Sequence, residues 1–163
     1  MRIVLQRVRE AAVSVDGREV ARIGVGYVLL VGVEEGDDAA TAGRMADKVA
    51  ALRLFRGATG RGFDESLSAA RGAALVVSQF TLMGDVRRGN RPSWAGAASP
   101  EVAEPLVEVV ADRLAAVGIP VERGVFGAMM DVALVNDGPV TLVLDSAVMS
   151  APRRGPGTAA GEA

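Results

Sequence analysis

Apolar and polar positions alternate from Arg2 to Val8 and again from Ala11 to Asp16, with a bias toward β-branched residues. A period of two predicts strands with one face buried. Asp16-Gly17 supplies a turn before a returning strand from Glu19 to Ile23. Tyr27 to Val33 is an uninterrupted apolar run of strand length, the pattern of a strand covered on both faces. The period then changes. Asp37-Asp38 offers an acidic N-cap, and Ala42, Met45, Ala46, Val49 and Leu52 follow at helical spacing, predicting a helix through roughly Leu54. From Gly57 to Gly72 glycine and polar residues dominate, a loop with room for one short strand. Ala73 to Leu82 is the second strongly apolar strand, and Ser78-Gln79 breaks its pattern in the second half. Gly84 to Gly96 reads as a long arginine-rich loop. Ser99-Pro100-Glu101 has the order cap, N1 proline and acidic first turn, predicting a helix to about Val117, with Gly118 in the C′ position and Pro120 beyond it. Pro120 to Glu122, Asp131 to Val135 and Val140 to Asp145 read as closing strands, the last two joined by a turn at Asn136-Asp137-Gly138-Pro139.

Strand-rich ends around two main helices predict a mixed α/β fold, a curved, barrel-like β-sheet with both helices packed on it. One domain is expected over residues 1–145. Residues 146–163 have no periodicity and read as a disordered tail.

Composition narrows the chemistry. The 163 residues are 50% hydrophobic, enough for one sizeable core, and the formal net charge is -2 with a pI near 5.2. A protein that coats nucleic acid with its whole surface carries a basic excess, so any RNA contact here has to be local. Of 18 basic residues only Lys48 is a lysine. Guanidinium groups favour bidentate phosphate recognition, although an Ala/Gly/Val/Arg-rich composition also reflects codon usage. Cysteine and histidine are both absent. That excludes disulfides, thiolate nucleophiles, Ser-His-Asp and Cys-His catalysis and His-ligated zinc, leaving only oxygen-ligand metals among the common choices; no metal or cofactor is expected. The first charges fall at Arg2 and Arg7, leaving no room for a signal peptide, and no apolar stretch approaches the ~20 residues that span a bilayer. A cytoplasmic address without membrane contact is the expectation.

Several local patterns invite a functional reading, each beside an ordinary one. Gly24-Val25-Gly26 lacks the third glycine and the following helix of a dinucleotide site. Asp37, Asp38 and Asp47 are typical of helix caps rather than metal ligands. Arg87, Arg88 and Arg91, near Trp94 as a stacking surface, could hold an RNA backbone or equally line a solvated loop. Ser78-Gln79-Phe80-Thr81-Leu82 places two hydroxyls and an amide at the end of a buried strand, where alternation would send Ser78 and Phe80 to one face and Gln79 and Thr81 to the other. It also suits a strand turning polar as it leaves the core. Asn136-Asp137-Gly138-Pro139 fits an ordinary turn.

Taken together, Ser78-Gln79-Phe80-Thr81-Leu82 and Asn136-Asp137-Gly138-Pro139-Val140-Thr141 resemble the two signatures of the D-aminoacyl-tRNA deacylases. The likeness extends through Arg2-Ile3-Val4-Leu5-Gln6-Arg7-Val8, Ile23-Gly24-Val25-Gly26, Val31-Gly32-Val33 and Arg88-Gly89-Asn90-Arg91-Pro92-Ser93 to Phe126-Gly127-Ala128-Met129-Met130. It covers roughly residues 1–145. Gly60-Arg61-Gly62-Phe63-Asp64-Glu65-Ser66 departs from it, where many members have a Lys-Met-Asn-like turn.

The resemblance implies a homodimer that hydrolyses the ester of D-aminoacyl-tRNA, and of glycyl-tRNA, at the 3′ adenosine. It implies a cis Gly138-Pro139 reaching into the partner's pocket, where two main-chain carbonyls capture the substrate's α-amino group and exclude an L-residue sterically. Ser78, Gln79, Phe80 and Thr81 would belong to the pocket, with Phe126 and Met130 in its wall. Without histidine or cysteine, water activation is expected from the neighbouring 2′-OH of the tRNA terminus. The Phe80 N–H, helped by Gln79, would stabilise the oxyanion, and Thr81 as a covalent nucleophile is the rival. Arg87, Arg88 and Arg91 are the tRNA-binding candidates. Two other functions remain open: a freestanding editing domain for a mischarged L-aminoacyl-tRNA, and a non-catalytic RNA-binding protein.

Overall fold

The structure is a computed structural model that describes residues 1–57 and 62–151. Its long first strand, β1 (Arg2–Val15), is paired on both edges. One edge carries β3 (Gly26–Gly32) beside Arg2 to Val8 and β2 (Arg18–Ile23) beside Ala11 to Val15, all antiparallel. The other edge carries β8 (Met130–Asp145), antiparallel along the whole of β1. Asp16 and Gly17 both have positive φ, 51° and 73°, the geometry that closes the β1–β2 hairpin without splaying it.

From β3 the sheet continues in parallel to β6 (Ala73–Ser78) and β7 (Val121–Arg123). Parallel neighbours need crossovers. Helix α1 (Ala39–Ala51), followed by the small pair β4 (Arg53–Phe55) and β5 (Glu65–Ser66), leads from β3 to β6. Helix α2 (Pro100–Ala116) leads from β6 to β7. Strand β2 curls back toward β6 and β7, bringing the sheet close to a barrel.

Alternation along the strands serves two cores. Ile3, Leu5, Tyr27, Leu29, Val31, Ala74 and Val76 face the helices, where Ala42, Met45, Ala46 and Val49 of α1 meet Leu106, Val107, Val110 and Leu114 of α2. Val8, Ala11, Val13, Ala21, Ile23, Val28, Leu75 and Val77 fill the barrel interior. The apolar runs of β3 and β6 are explained by this double burial.

The structure departs from the sequence expectations at identifiable points. Helix α1 stops at Ala51, because Leu52 is extended (φ -64°, ψ 131°) and Arg53–Phe55 forms β4. Strand β6 ends at Ser78, and Phe80–Met83 forms a short 3-10 helix, η1, so strand alternation does not govern residues 79–82. The two closing strands are one strand, β8, and Asn136 to Pro139 lies within it. The expected tail begins with a helical turn, α3 (Ser146–Ser150), whose Ser146 N–H donates to the Met1 carbonyl at 3.0 Å. Residues 60–61 of the divergent segment and 152–163 of the tail lie outside the described residues. Among the described residues no helix is long and apolar enough to cross a membrane.

A close backbone approach fixes the β3–β6 pair. A Cβ at Gly26 would stand 1.8 Å from the carbonyl oxygen of Ala73. Gly26→Ala is therefore expected to destabilise the fold by about 2 kcal/mol or more, read as a lower urea midpoint at unchanged slope.

Candidate functional site

The carboxyl ends of parallel strands β3 and β6 lie side by side, with Val31 paired to Ser78. Such ends are where ligands bind in parallel sheets. The next N–H, that of Gln79, still donates to the Val31 carbonyl at 2.8 Å, and the chain then turns into η1. Gly32 makes this turn possible. A Cβ there would stand 2.9 Å from each of the Gln79 carbonyl oxygen, Leu82 Cβ and Met83 Cε. Arg2 fixes η1 from below, donating through Nη1 to the Leu82 carbonyl at 2.5 Å and through Nε to Asp145 at 3.1 Å.

The first N–H groups of a helix have no partner within it. Leu82 N–H closes on the Gln79 carbonyl at 3.2 Å, and neither Phe80 nor Thr81 N–H makes a backbone hydrogen bond outside η1 among the described residues. The Gln79 side chain donates to the Thr81 hydroxyl at 2.5 Å.

Beside η1 opens a cavity of about 490 Å³. Its apolar wall comes from Val31 and Val33 of β3 and the residue after it, from Ala103 and Val107 of α2, and from Phe126 and Met130 of the β7–β8 segment. Ser78, Gln79 and Phe80 supply the polar edge. Among the described residues none of its lining side chains is ionisable. In such apolar surroundings an aimed N–H dipole acts far more strongly than in water. Met129, 90% exposed, stands at the rim.

Of the residues singled out in the sequence, Ser78, Gln79, Phe80, Phe126 and Met130 meet in this one cavity. Thr81 is exposed and outside the lining, in contact with the Gln79 side chain. Gly138 and Pro139 are outside the lining of their own chain's cavity, both are exposed, and the bond between them is cis. Gln6 faces Thr141 while Val8 faces Asn136, so the β8 backbone bows out over residues 137–140.

A network the sequence did not announce holds this bow. Arg7, 6% exposed, is the buried charged residue among those described. Its Nε lies 2.9 Å from the Asp137 carboxylate and donates to the Asp137 carbonyl at 3.2 Å, while Nη1 donates to the Leu54 carbonyl. The guanidinium also sits 5.9 Å from the Phe55 ring, which stacks on Tyr27 at 5.1 Å. Asn136 Nδ2 donates to the Arg7 carbonyl at 2.8 Å, crossing back to β1. A charge in the middle of an otherwise alternating strand was the available signal.

The arginine loop leaves η1 and returns to it. Asp85 and Ser93 exchange main-chain hydrogen bonds of 2.8 and 2.9 Å, closing a hairpin whose turn contains Gly89 at φ 65°. Arg87 chelates Asp85, Nε to Oδ1 at 2.9 Å and Nη2 to Oδ2 at 2.7 Å, and these hydrogen bonds hold the Asp85 carboxyl down at about 2. Arg88 and Arg91 are exposed.

Comparison with known proteins agrees with this architecture. The family model described as D-Tyr-tRNA(Tyr) deacylase matches residues 4–145. The chain belongs to that family. It is 60% identical over 147 residues to a D-aminoacyl-tRNA deacylase of Thermomicrobium roseum, covering 90% of this chain and 95% of that one. A D-aminoacyl-tRNA deacylase of Micrococcus luteus is 53% identical over 156 residues, covering 95% of this chain and all of that one. Among solved structures, a c-Myc DNA unwinding element binding protein superposes with a TM-score of 0.84 at 35% identity, covering 89% of this chain and 98% of that one. A probable eukaryotic D-amino acid tRNA deacylase superposes with a TM-score of 0.73 at 15% identity, over 88% and 97% of the two chains, a likeness of fold.

Within the deacylase family framework, Gly32 is a position where packing and activity separate. Gly32→Ala is expected to push η1 outward and lower kcat/KM for deacylation at least tenfold, while far-UV circular dichroism stays native. Unchanged kcat/KM in a folded Gly32→Ala protein would show that η1 placement is irrelevant to the reaction.

Proposed function

We propose that the chain hydrolyses the ester between a D-amino acid, or glycine, and the 3′ adenosine of tRNA, with the aminoacyl-adenosine end seated in the cavity beside η1. Hydrolysis of the aminoacyl-tRNA ester is the activity for which its family is named. The observation that carries the finer reading is the composition of the cavity: an apolar chamber with no ionisable side chain among the described residues, edged by Gln79 and the N–H groups that open η1.

In this reading the Phe80 N–H, helped by the Gln79 amide, receives the charge that develops on the ester carbonyl oxygen. The vicinal 2′-OH of the substrate assists the attacking water, since no side chain at hand has a suitable pKa. Thr81 is held by Gln79 and stands outside the lining, which favours a bystander over a covalent nucleophile.

Chiral selection is assigned to the main chain of Gly138 and Pro139, acting in the cavity of a second copy. Two features support this. The segment does not line its own cavity, and Gly138 and Pro139 are exposed. The same strand also presents Val132, Val135, Leu142 and Val143 outward, an apolar edge suited to pairing with another copy. Two carbonyl oxygens accepting from the α-amino group would leave no room for an L side chain, and the cytoplasm is where charged tRNA is found.

The test is release of D-tyrosine and L-tyrosine from the matched aminoacyl-tRNAs by chelator-treated protein. D-Tyr-tRNA is expected to be cleaved at least ~100-fold faster than L-Tyr-tRNA, about 2.7 kcal/mol of discrimination. Equal cleavage would point to an L-editing domain, and tight binding of uncharged tRNA without cleavage to an RNA-binding protein. Gln79→Ala is expected to lower kcat about tenfold or more and Thr81→Ala less than about threefold. Trapping an acyl group on Thr81 would overturn the water-based mechanism.

A further inference from the structure

At the mouth of the cavity, two aromatic side chains are exposed where a folded chain would ordinarily cover them. Phe80 is 57% and Trp94 41% exposed, and they touch edge to face with centroids 5.6 Å apart. The backbone is shaped to seat the indole. A Cβ on Gly84 would fall 2.5 Å from its Cζ3, so only glycine lets the ring lie against the end of η1, and the Ala97 N–H donates to the Trp94 carbonyl at 2.9 Å. The pair is continuous with the cavity, because Phe80 and Ala97 line it.

The charges around the pair are sorted. Arg87 is taken up by Asp85 and braces the hairpin. Arg88 and Arg91, on the same turn, are exposed and have no ion pair among the described residues. The chain as a whole is acidic, so these two cations form a local positive feature on a negative background.

We propose that the Phe80–Trp94 pair is a stacking platform for the unpaired nucleotide that precedes the terminal adenosine of the substrate RNA, with Arg88 and Arg91 gripping the adjoining phosphates. This rests on the placement of the terminal adenosine in the cavity. An aromatic face beside paired cations is the chemistry that holds single-stranded RNA without reading its sequence. The site would let the enzyme act on many tRNAs, since it grips a strand rather than a base identity. It would also favour a strand over a lone nucleoside ester, because one stacked base is worth about tenfold or more in affinity.

Trp94 is the one tryptophan in the chain, so its fluorescence reports the platform directly and without catalysis. The experiment titrates the protein with a short RNA ending in cytidine-cytidine-adenosine and, separately, with adenosine. Saturable quenching by the RNA, at least tenfold tighter than any effect of adenosine, is the expected result. The double variant Arg88→Gln/Arg91→Gln should weaken RNA binding and flatten its dependence on salt by about 0.7 in log-log slope for each phosphate that is no longer neutralised. In turnover, Trp94→Ala should lose at least tenfold more kcat/KM on D-aminoacyl-tRNA than on a D-aminoacyl-adenosine ester, with Trp94→Phe recovering most of the difference. Absence of quenching at RNA concentrations that inhibit hydrolysis, or equal losses on both substrates, would overturn the platform. Quenching by RNA in a protein that cleaves no ester would leave the platform standing and remove the proposed reaction instead.

Discussion

The burial of one guanidinium organises the half of the molecule that carries the second signature. An arginine taken from water without partners costs several kcal/mol, so the chain around Arg7 has to present acceptors. Three converge: the Asp137 carboxylate, the Asp137 carbonyl and the Leu54 carbonyl, while the Phe55 ring lies 5.9 Å from the charge. These partners come from β8 and from β4, the strand that follows α1. Arg7 therefore fixes where β8 bows away from β1 and where α1 has to end. A lysine could not do this, because one ammonium cannot address a carboxylate and two divergent carbonyls in a fixed fork.

The cavity's edge, by contrast, depends on the absence of a side chain. Gly32 lets η1 press against the end of β3, and Gln79 keeps its strand-like bond to Val31 even as the chain turns. The result is a 3-10 helix whose first N–H groups sit at the edge of an apolar cavity. Main-chain donors held this way need no reorganisation when charge develops, which is where such sites gain their power. A chain without histidine or cysteine has few other means of stabilising an ester's transition state.

Much of this was legible in the sequence for simple reasons. Period-two stretches and two apolar runs marked β1, β3 and β6, and the order serine, proline, glutamate marked the start of α2. The break at Ser78-Gln79 marked the place where β6 stops. What followed was not legible, because Phe80-Thr81-Leu82-Met83 is as apolar as a strand and only the packing against Gly32 bends it into η1. Leu52 and Leu54 fitted the helical spacing of α1, yet the Leu54 carbonyl is needed by Arg7 and the backbone is extended there. Asn136-Asp137-Gly138-Pro139 has turn chemistry, and local propensity gave no hint that β1 continues unbroken on the other side, which makes the excursion a bow within one strand. Local signals name residues, and long-range partners decide what those residues do.

The two halves differ in how they answer mutation, and this bears on how stereochemistry can be enforced. In the proposed reaction both the main oxyanion donor and the chirality-sensing acceptors are main-chain atoms, so no single side-chain replacement deletes them. Their positions are nonetheless set by residues at a distance, Arg7 for one and Arg2 with Gly32 for the other. Selection against an L-residue then depends on whether two rigid segments hold their separation, and not on the strength of any one interaction. In that reaction such a site would tolerate wide variation in the amino acid it accepts, because among the described residues nothing in its apolar lining addresses the substrate side chain by charge. It is intolerant of backbone displacement. Steric exclusion is steep over fractions of an ångström, whereas the attraction it guards against is shallow.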